Sequence, residues 1–354
     1  MKRTDYQLAI IGAGPAGINL GLALADKGFK IAIFELKASF KRGSRIVLVP
    51  EEMVPAGVNK LTCRHYFVNS LTHLREVETK ITYCFVETAE LLDCWTKQLD
   101  IPIMFSWRAA YIVQENDQVK LRVEGPGGGR TLSCQFLAAC DGPYSISNRQ
   151  LAGSPSFVRT MEYQFKELST SPGTLESFHS HRYSPGFYSW IFQLDHGCLV
   201  AGLGTNRDNP RRFLDRFLKE HPRAKQLGLN LRQVVRRGAG LLSTSQGRLV
   251  NGRIIFLGDS AAGYPWLGGM TYPGVQRSTE LAASALAQAL ETGEPSRLKE
   301  YENCWHDSFA KTFAYEQKAR AAFNKLTDDQ IDQAYAQRPG ESLRRVVMEL
   351  AGTL

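Results

Sequence analysis

The spacing of apolar positions at the start of the chain predicts a strand, a helix and a second strand. Residues 6–11 (YQLAII) form a nearly continuous apolar run that ends in glycines. An apolar-periodic stretch continues from there to Lys27 and stops at Gly28, as a helix would, and residues 30–34 (KIAIF) form a second apolar run. These three elements make a βαβ unit, whose two strands must run parallel.

Further segments of both kinds follow this unit. After Asn251 the run RIIFLGD predicts a strand that returns to the first domain, and the chain from about residue 274 onward is predicted to be mostly helical. The remaining predicted elements are a strand at 81–86, a helix at 87–99, and a hairpin formed by 119–123, a turn at 125–129 and 131–139, which leads into Asp141.

The middle of the chain has a different pattern from about residue 156. Its apolar segments are short and rich in aromatic and β-branched residues, with Pro, Gly and Ser between them, which is typical of an antiparallel sheet. These segments are 157–165, 175–183, 187–194 and 198–204.

The composition is that of an ordinary soluble domain protein. Apolar residues make up 43% and charged residues 22% of the 354 residues, and no run of about 18 apolar residues predicts a transmembrane helix. The seven cysteines are scattered without a C-x-x-C pair, which favours reduced thiols in a cytoplasmic protein and predicts no metal site. We expect His179 and His181 to be surface imidazoles.

The net charge of +8 predicts attraction to anionic partners. Basic residues are densest between Arg207 and Arg212 and continue to Arg237, interleaved with apolar positions as on the solvated face of a helix. No nucleic-acid-binding motif is present. A phosphorylated substrate, an acidic electron donor and a peripheral membrane contact all remain candidates.

A glycine motif joins the first strand to the first helix. Gly12-Ala13-Gly14-Pro15-Ala16-Gly17 fits G-x-G-x-x-G, in which the first glycine allows the turn, the second lets the backbone approach a pyrophosphate, and the third lets helix and strand pack closely. The helix N-terminus would then face the phosphates. Glu35, next to Leu36 at the end of the second strand, is placed to accept both ribose hydroxyls of an adenosine.

Two later segments favour FAD over NAD. Asp141-Gly142 follows one predicted strand, and Gly258-Asp259 ends another. They resemble the Asp-Gly and Gly-Asp motifs of flavoproteins with the p-hydroxybenzoate hydroxylase fold. The resemblance implies that Asp259 binds the ribityl chain of noncovalently bound FAD. It also implies that Gly268, Gly269, Met270 and Thr271 direct backbone N–H groups at the flavin ring.

One family within that fold is the most similar. The run from Pro185 to Gln193 resembles the P-x-x-Y-x-W-x-F-P signature of the geranylgeranyl reductase family, with Gln193 in place of the last proline. The stretches 199–204 and 325–332 resemble that family too. Tyr188, Trp190 and Phe192 alternate along the predicted strand, so all three point to one face. That face is either part of a domain core or the wall of an apolar substrate tunnel.

Three positions depart from the family pattern. The stretch 40–45 lacks the cysteine of K-x-C-G-G, so chemistry that needs this thiol is in question. Ala89 stands where the family has an arginine, and we expect Arg45 to supply charge near the FAD phosphates instead. Met270 replaces a loop glycine and would narrow the space over the flavin.

The resemblance implies an α/β protein in which a discontinuous FAD-binding domain carries an inserted antiparallel β-sheet domain for the substrate. We expect the first domain to comprise 1–58, 80–155 and 245–300 and the second 59–79 and 156–244, followed by a C-terminal helical segment at 301–354.

The implied activity is reduction of a carbon–carbon double bond in an apolar, isoprenoid- or polyene-like substrate. A monooxygenase acting on an aromatic or natural-product scaffold and a non-catalytic flavin-binding redox sensor are the alternatives. Only one dinucleotide motif occurs in the chain, so NAD(P)H, a reduced ferredoxin or a reduced flavin would dock transiently as the reductant. No catalytic side chain is assigned.

Overall fold

The computed structural model describes residues 4–143, 145–151, 156–166, 168, 171–261, 272–337, 343–350 and 352. The strands are β1 Tyr6–Ile11, β2 Ile31–Glu35, β3 Ile46–Pro50, β4 Lys60–Thr62, β5 His65–Asn69, β6 Leu74–Glu76, β7 Tyr83–Glu87, β8 Ile103–Phe105, β9 Arg108–Gln114, β10 Val119–Gly125, β11 Gly128–Ala139, β12 Phe157–Phe165, β13 Thr174–Phe178, β14 Ser189–Gln193, β15 Leu199–Thr205, β16 Val234–Ser243, β17 Val250–Asn251 and β18 Ile254–Phe256.

The α-helices of the described residues are α1 Pro15–Leu24, α2 Thr88–Thr96, α3 Ile146–Leu151, α4 Pro210–Glu220, α5 Pro222–Gln226, α6 Tyr272–Thr292, α7 Leu298–Phe323, α8 Asp328–Gln337 and α9 Leu343–Leu350. Within the described residues, no helix combines the length and the apolar composition that a membrane crossing requires.

The first sheet is built around the predicted βαβ unit. Its central strands lie in the order β18-β11-β1-β2-β8 and run parallel, and β9 and β10 extend it as an antiparallel meander from β11. The inner strands are buried on both faces, so they read as continuous apolar runs. Since the carboxyl ends of parallel strands share one edge, the residues after β1, β2, β11 and β18 lie close together.

The second sheet has seven described strands in the order β16-β12-β15-β14-β13-β5-β6. Its pairs are antiparallel as predicted, except that β5 runs parallel to β13. One face, which includes Ile191 and Phe165, packs against α4. The other face, which includes Trp190, packs against residues of a three-stranded sheet in the order β3-β7-β4. Alternate residues of these strands therefore face two different interfaces, one with α4 and one with the three-stranded sheet.

The C-terminal helices contact both sheets. Leu298 and Trp305 of α7 belong to the core of the first sheet, whereas Phe323 at the end of α7 packs with α8, α9 and β5. His179 is buried there, with its Nδ1 2.8 Å from the Tyr335 hydroxyl. The expectation that His179 is a surface imidazole is wrong, because helices more than 150 residues later in the chain cover it.

Candidate functional site

The glycine turn after β1 is tightly packed at two of its three glycines. Gly12 has a φ of +97°. A Cβ at Gly12 would lie 2.4 Å from the Cys140 carbonyl oxygen, and one at Gly17 would lie 2.0 Å from the Gly12 carbonyl oxygen. A Cβ at Gly14, in contrast, would have no atom within 4 Å. The first and third glycines thus allow strand and helix to touch, while the second borders open space.

The N-terminus of α1 borders the same open space. Gly14 is its N-cap in an extended conformation, no side chain caps the helix, and its first turn has no acidic residue. Pro15 has no N–H, so the N–H groups of the next two residues lack intrahelical acceptors. An uncapped helix N-terminus beside an open glycine is the arrangement that a pyrophosphate occupies in nucleotide-binding folds.

The Glu35 carboxylate lies beside this turn, at the carboxyl end of β2. It accepts hydrogen bonds from Ala13 N and Lys37 N, each 2.8 Å long. These two bonds fix the direction of the carboxylate and leave lone pairs on both oxygens for further donors. Leu36, which follows it, is 63% exposed. The structure thus brings the glycine turn and Glu35 together, as the sequence predicts.

Asp141 and Gly142 follow β11 at the same edge of the sheet. The Asp141 carboxyl accepts hydrogen bonds from Ser145 Oγ (2.7 Å) and from Ser147 N (3.2 Å), and burial raises its pKa. Gly142 forms the turn, with a φ of +70°. Asp141 therefore holds the start of α3 in place, and a contact with FAD stays a prediction.

Asp259 lies in a single turn of 3₁₀ helix, Gly258–Ser260, directly after β18. Its side chain is partly buried and has no hydrogen-bond partner within the described part of the chain. Burial raises the pKa of this carboxyl to about 7. A Cβ at Gly258 would lie 3.2 Å from Ala16, so the turn lies beside the N-terminus of α1. A sheltered carboxyl without a partner among the described residues fits a polyol chain, whose hydroxyls can donate hydrogen bonds to it.

Arg45 and the loop after Asp259 differ from the other predicted site residues. The Arg45 guanidinium donates to the Ala239 carbonyl of β16 and lies 4.0 Å from the Glu162 carboxylate. Here it lies beside a half-buried glutamate, so its role at the FAD phosphates is not supported by these contacts and stays a prediction. Gly268, Gly269, Met270 and Thr271 lie outside the described residues.

Three aromatic side chains form a ladder on one face of the second sheet: Tyr188, which directly precedes β14, and Trp190 and Phe192 within it. The ring centroids of Tyr188 and Trp190 are 5.9 Å apart, and those of Trp190 and Phe192 are 6.3 Å apart. Phe192 contacts Phe85 of the three-stranded sheet at 5.2 Å. The indole of Trp190 lies over Gly202 on β15, where any Cβ would clash with it at 2.5 Å.

A cleft of about 570 Å³ opens beside this ladder. Leu48, Cys63, Tyr66 and Leu175 line it and also pack with the ladder, while polar side chains such as Arg64 and Glu76 form another part of its lining. Burial raises the pKa of the Cys63 thiol to about 11, which favours the protonated thiol over the nucleophilic thiolate. The sequence pattern does not reveal the cleft, because its walls come from four separate segments.

A match to a known protein family identifies the cofactor class of this protein. Residues 5–313 match the family described as FAD binding domain. The chain belongs to the FAD binding domain family. This match spans the glycine turn, the ladder and α6, and it confirms the predicted cofactor, FAD. With its relatives named as reductases, the protein is an FAD-dependent oxidoreductase.

Similar proteins support the more specific resemblance. Digeranylgeranylglycerophospholipid reductase 2 of Methanopyrus kandleri is 22% identical over 97% of this chain and 93% of its own length. A geranylgeranyl bacteriochlorophyll reductase-like protein of Thermoplasma acidophilum has the same fold, with a TM-score of 0.82 and 17% identity over 97% of this chain and 95% of its own. The resemblance to the geranylgeranyl reductase family is thus confirmed.

The same fold occurs in an oxygenase. The p-nitrophenol 4-monooxygenase of Pseudomonas putida superimposes with a TM-score of 0.71 and 18% identity over 99% of this chain and 97% of its own. The fold class predicted from the sequence is confirmed by these neighbours. They do not separate reduction from oxygenation, because the fold is shared by both kinds of enzyme.

Proposed function

We propose that this protein reduces a carbon–carbon double bond in an apolar, isoprenoid- or polyene-like substrate, using FAD. The observation that carries the proposal is the aromatic ladder of Tyr188, Trp190 and Phe192, which packs against apolar residues that line the open cleft. Aromatic and aliphatic side chains bind an extended hydrocarbon through burial of apolar surface. The names of the reductase relatives support the same substrate class.

The residues at the edge of the first sheet would hold the cofactor. The N-terminus of α1 and the open side of Gly14 would receive the pyrophosphate, Glu35 the adenosine ribose, and Asp259 the ribityl hydroxyls. Bound FAD, once reduced by two electrons from the external reductant, would supply the hydride that reduces the double bond, and a proton completes the addition. The protein would align the two partners and keep water away from the reacting carbons.

The ladder is suited to an apolar substrate rather than a charged one. Burial raises the pKa of Tyr188 far above its usual range, so its hydroxyl stays protonated and neutral. The Trp190 Nε1 has no hydrogen-bond partner among the described residues. These are the only two polar atoms that the three ladder side chains carry, so the described ladder presents no charge and little hydrogen-bonding capacity to a ligand.

The reductant would dock transiently, and NAD(P)H, a reduced ferredoxin and a reduced flavin are the candidates. The single dinucleotide motif, Gly12 to Gly17, is assigned to FAD, which leaves no second motif of this type for a nicotinamide cofactor. An apolar, lipid-like substrate and an electron-donor protein are therefore the proposed partners.

Reoxidation of the reduced flavin tests the proposal. The FAD-loaded protein would be reduced chemically without oxygen and mixed with a glycerolipid that carries geranylgeranyl chains. We expect the absorbance of oxidised flavin to return as double bonds are consumed. The matched control is the same lipid with saturated chains, which should leave the flavin reduced. A flavin that stays reduced with every unsaturated isoprenoid would contradict the proposal.

A further inference from the structure

The positive charge of this protein is concentrated on one segment. Residues 207–237 contain ten basic and three acidic residues, a net charge of +7, whereas the whole chain carries +8. The segment includes α4, α5 and the start of β16. A net charge confined in this way creates a local field that a uniformly distributed charge would not.

The basic residues surround a groove of about 690 Å³ between α4 and the loop before β16. Arg212, Arg216, Lys219 and Lys225 line it, and none of the four forms a salt bridge within the described part of the chain. We call this surface, which Leu231 lines and which Val235 follows four residues later in the chain, the basic groove.

The two acidic residues of the basic groove have partners of their own. Asp215 accepts a hydrogen bond from the Tyr163 hydroxyl (2.9 Å) and lies 3.6 Å from Arg211, and Glu220 pairs with Arg182 at 2.8 Å. The four cations that line the groove outnumber its two carboxylates, which also have Arg211 and Arg182 beside them. The groove therefore presents net positive charge to solvent.

Apolar side chains accompany the charge. Leu218 and Leu229 form a buried floor of the basic groove, while Leu231 is 42% exposed and Val235, at the start of the edge strand β16, is 54% exposed. Exposed aliphatic side chains among cations are the combination that binds an anionic lipid surface, since the chains enter the interface while the cations meet the headgroups.

The position of the basic groove argues against a docking site for an electron donor. It lies on α4 and α5, on the face of the second sheet that buries Ile191, whereas the aromatic ladder lies on the opposite face. The second sheet therefore lies between the groove and the ladder. An electron donor bound in the groove would have that sheet between its redox centre and the side chains proposed to hold the substrate.

We propose that the basic groove is a docking surface for an anionic phospholipid bilayer, with Leu231 and Val235 inserted at the interface. This inference is independent of the reaction that the enzyme performs. It requires only that the protein binds anionic vesicles through these residues.

The test compares two double variants of the FAD-loaded full chain that remove equal charge. Arg212→Ala/Lys219→Ala acts in the groove, and Lys27→Ala/Lys97→Ala removes two exposed cations elsewhere. Each would be sedimented with vesicles of phosphatidylglycerol and phosphatidylcholine, and with vesicles of phosphatidylcholine alone. We expect the parent to bind only the anionic vesicles, and the groove variant to bind them at least about tenfold more weakly, since each cation near such a surface contributes about fivefold.

The control variant should bind the anionic vesicles like the parent, and added salt should weaken binding. Leu231→Ser, which changes no charge, should also weaken vesicle binding if the leucine enters the interface. Equal losses in both double variants would overturn the proposal, because net charge alone would then explain binding. Equal binding to neutral vesicles would overturn it as well, as would retention on an acidic protein without any binding to vesicles. The flavin content of each variant reports that it is folded.

Discussion

The glycine turn and the aromatic ladder, which we propose as the sites of FAD and of the substrate, are built in different ways. The turn is made from backbone: Gly12 and Gly17 touch neighbouring carbonyl oxygens, and a short stretch of chain supplies most of its groups. The ladder is made from side chains whose surroundings come from β5, β7, β13 and β15. Substitutions in the turn should therefore change cofactor binding and folding, whereas substitutions in the ladder should change substrate binding.

The largest effect is expected within the turn itself. In Gly17→Ala the new Cβ would lie 2.0 Å from the Gly12 carbonyl oxygen, so strand and helix must separate. We expect a loss of at least about 3 kcal/mol in the free energy of unfolding, with or without FAD. Thermal and denaturant unfolding of the apoprotein measure this directly.

Gly14→Ala is the matched variant. Its Cβ would enter open space and its φ of −78° suits alanine, so the apoprotein should be as stable as the parent. FAD should nevertheless bind more weakly, because the methyl group occupies the space assigned to the pyrophosphate. If FAD binds Gly14→Ala as tightly as the parent, the pyrophosphate lies elsewhere.

Substitution of Asp259 should weaken the binding of both FAD and FMN. We expect Asp259→Ala to weaken FAD by about 1.5–3 kcal/mol, the range for a hydrogen bond to a charged group, and to weaken FMN similarly, because both contain the ribityl chain. Isothermal titration with each flavin gives the two affinities. A loss for FAD without a loss for FMN would move Asp259 away from the ribityl chain.

The raised pKa of Asp259 also predicts a pH dependence for the apoprotein. Burial favours the protonated carboxyl in the folded state, with a pKa of about 7 against an ordinary value of 3.8. Its contribution to stability is therefore fully present below the ordinary value and is lost as the pH rises through the folded value. Relative to the parent, Asp259→Asn should gain stability across this window and level off above it.

Substitution of Glu35 should affect only the flavin that contains an adenosine. Glu35→Ala should weaken FAD by about 1.5–3 kcal/mol and leave FMN unchanged, because FMN has no adenosine ribose. The apoprotein loses the two backbone hydrogen bonds to Ala13 and Lys37, so a small decrease in stability should accompany the change. Equal weakening of both flavins would show that Glu35 acts only through the shape of the turn.

The smallest effects are expected on β14, where adjacent residues face opposite ways. Trp190→Phe should raise KM for an apolar substrate by about fivefold, as apolar contact area is lost, and leave FAD affinity unchanged. Ile191→Val, on the α4 side, should cost about 0.5–1.5 kcal/mol of stability with no change in KM. An unchanged KM in Trp190→Phe would make the ladder a core rather than a substrate wall.

The sequence predicts elements whose environment is local or simply periodic. β1, α1 and β2 follow from an apolar run, a 3.6-residue period and glycines, and β12 matches its predicted range at both ends. Glu35 could be predicted because its place at the end of a strand fixes its direction relative to the turn. The geometry of the turn is thus encoded within about 30 residues.

Features that depend on distant packing could not be predicted in this way. The three-stranded sheet combines segments that carry no clear alternation, so β3 and β4 were not expected. Arg45 reaches β16, almost 200 residues away, and His179 is buried by α8. The cleft beside the ladder could not be predicted either, because segments distant in sequence form its walls. In each case the deciding neighbour is remote in sequence, and no local pattern reports it.

Analysis of the product tests most directly whether the ladder holds an apolar double bond for reduction. Chemically reduced enzyme would be given a geranylgeranyl lipid, once without oxygen and once with labelled molecular oxygen. We expect a product that is two hydrogens heavier per reduced double bond. It should form without oxygen, and it should contain no label when labelled oxygen is present. Turnover that requires air and places labelled oxygen in the product would contradict it and would indicate a monooxygenase.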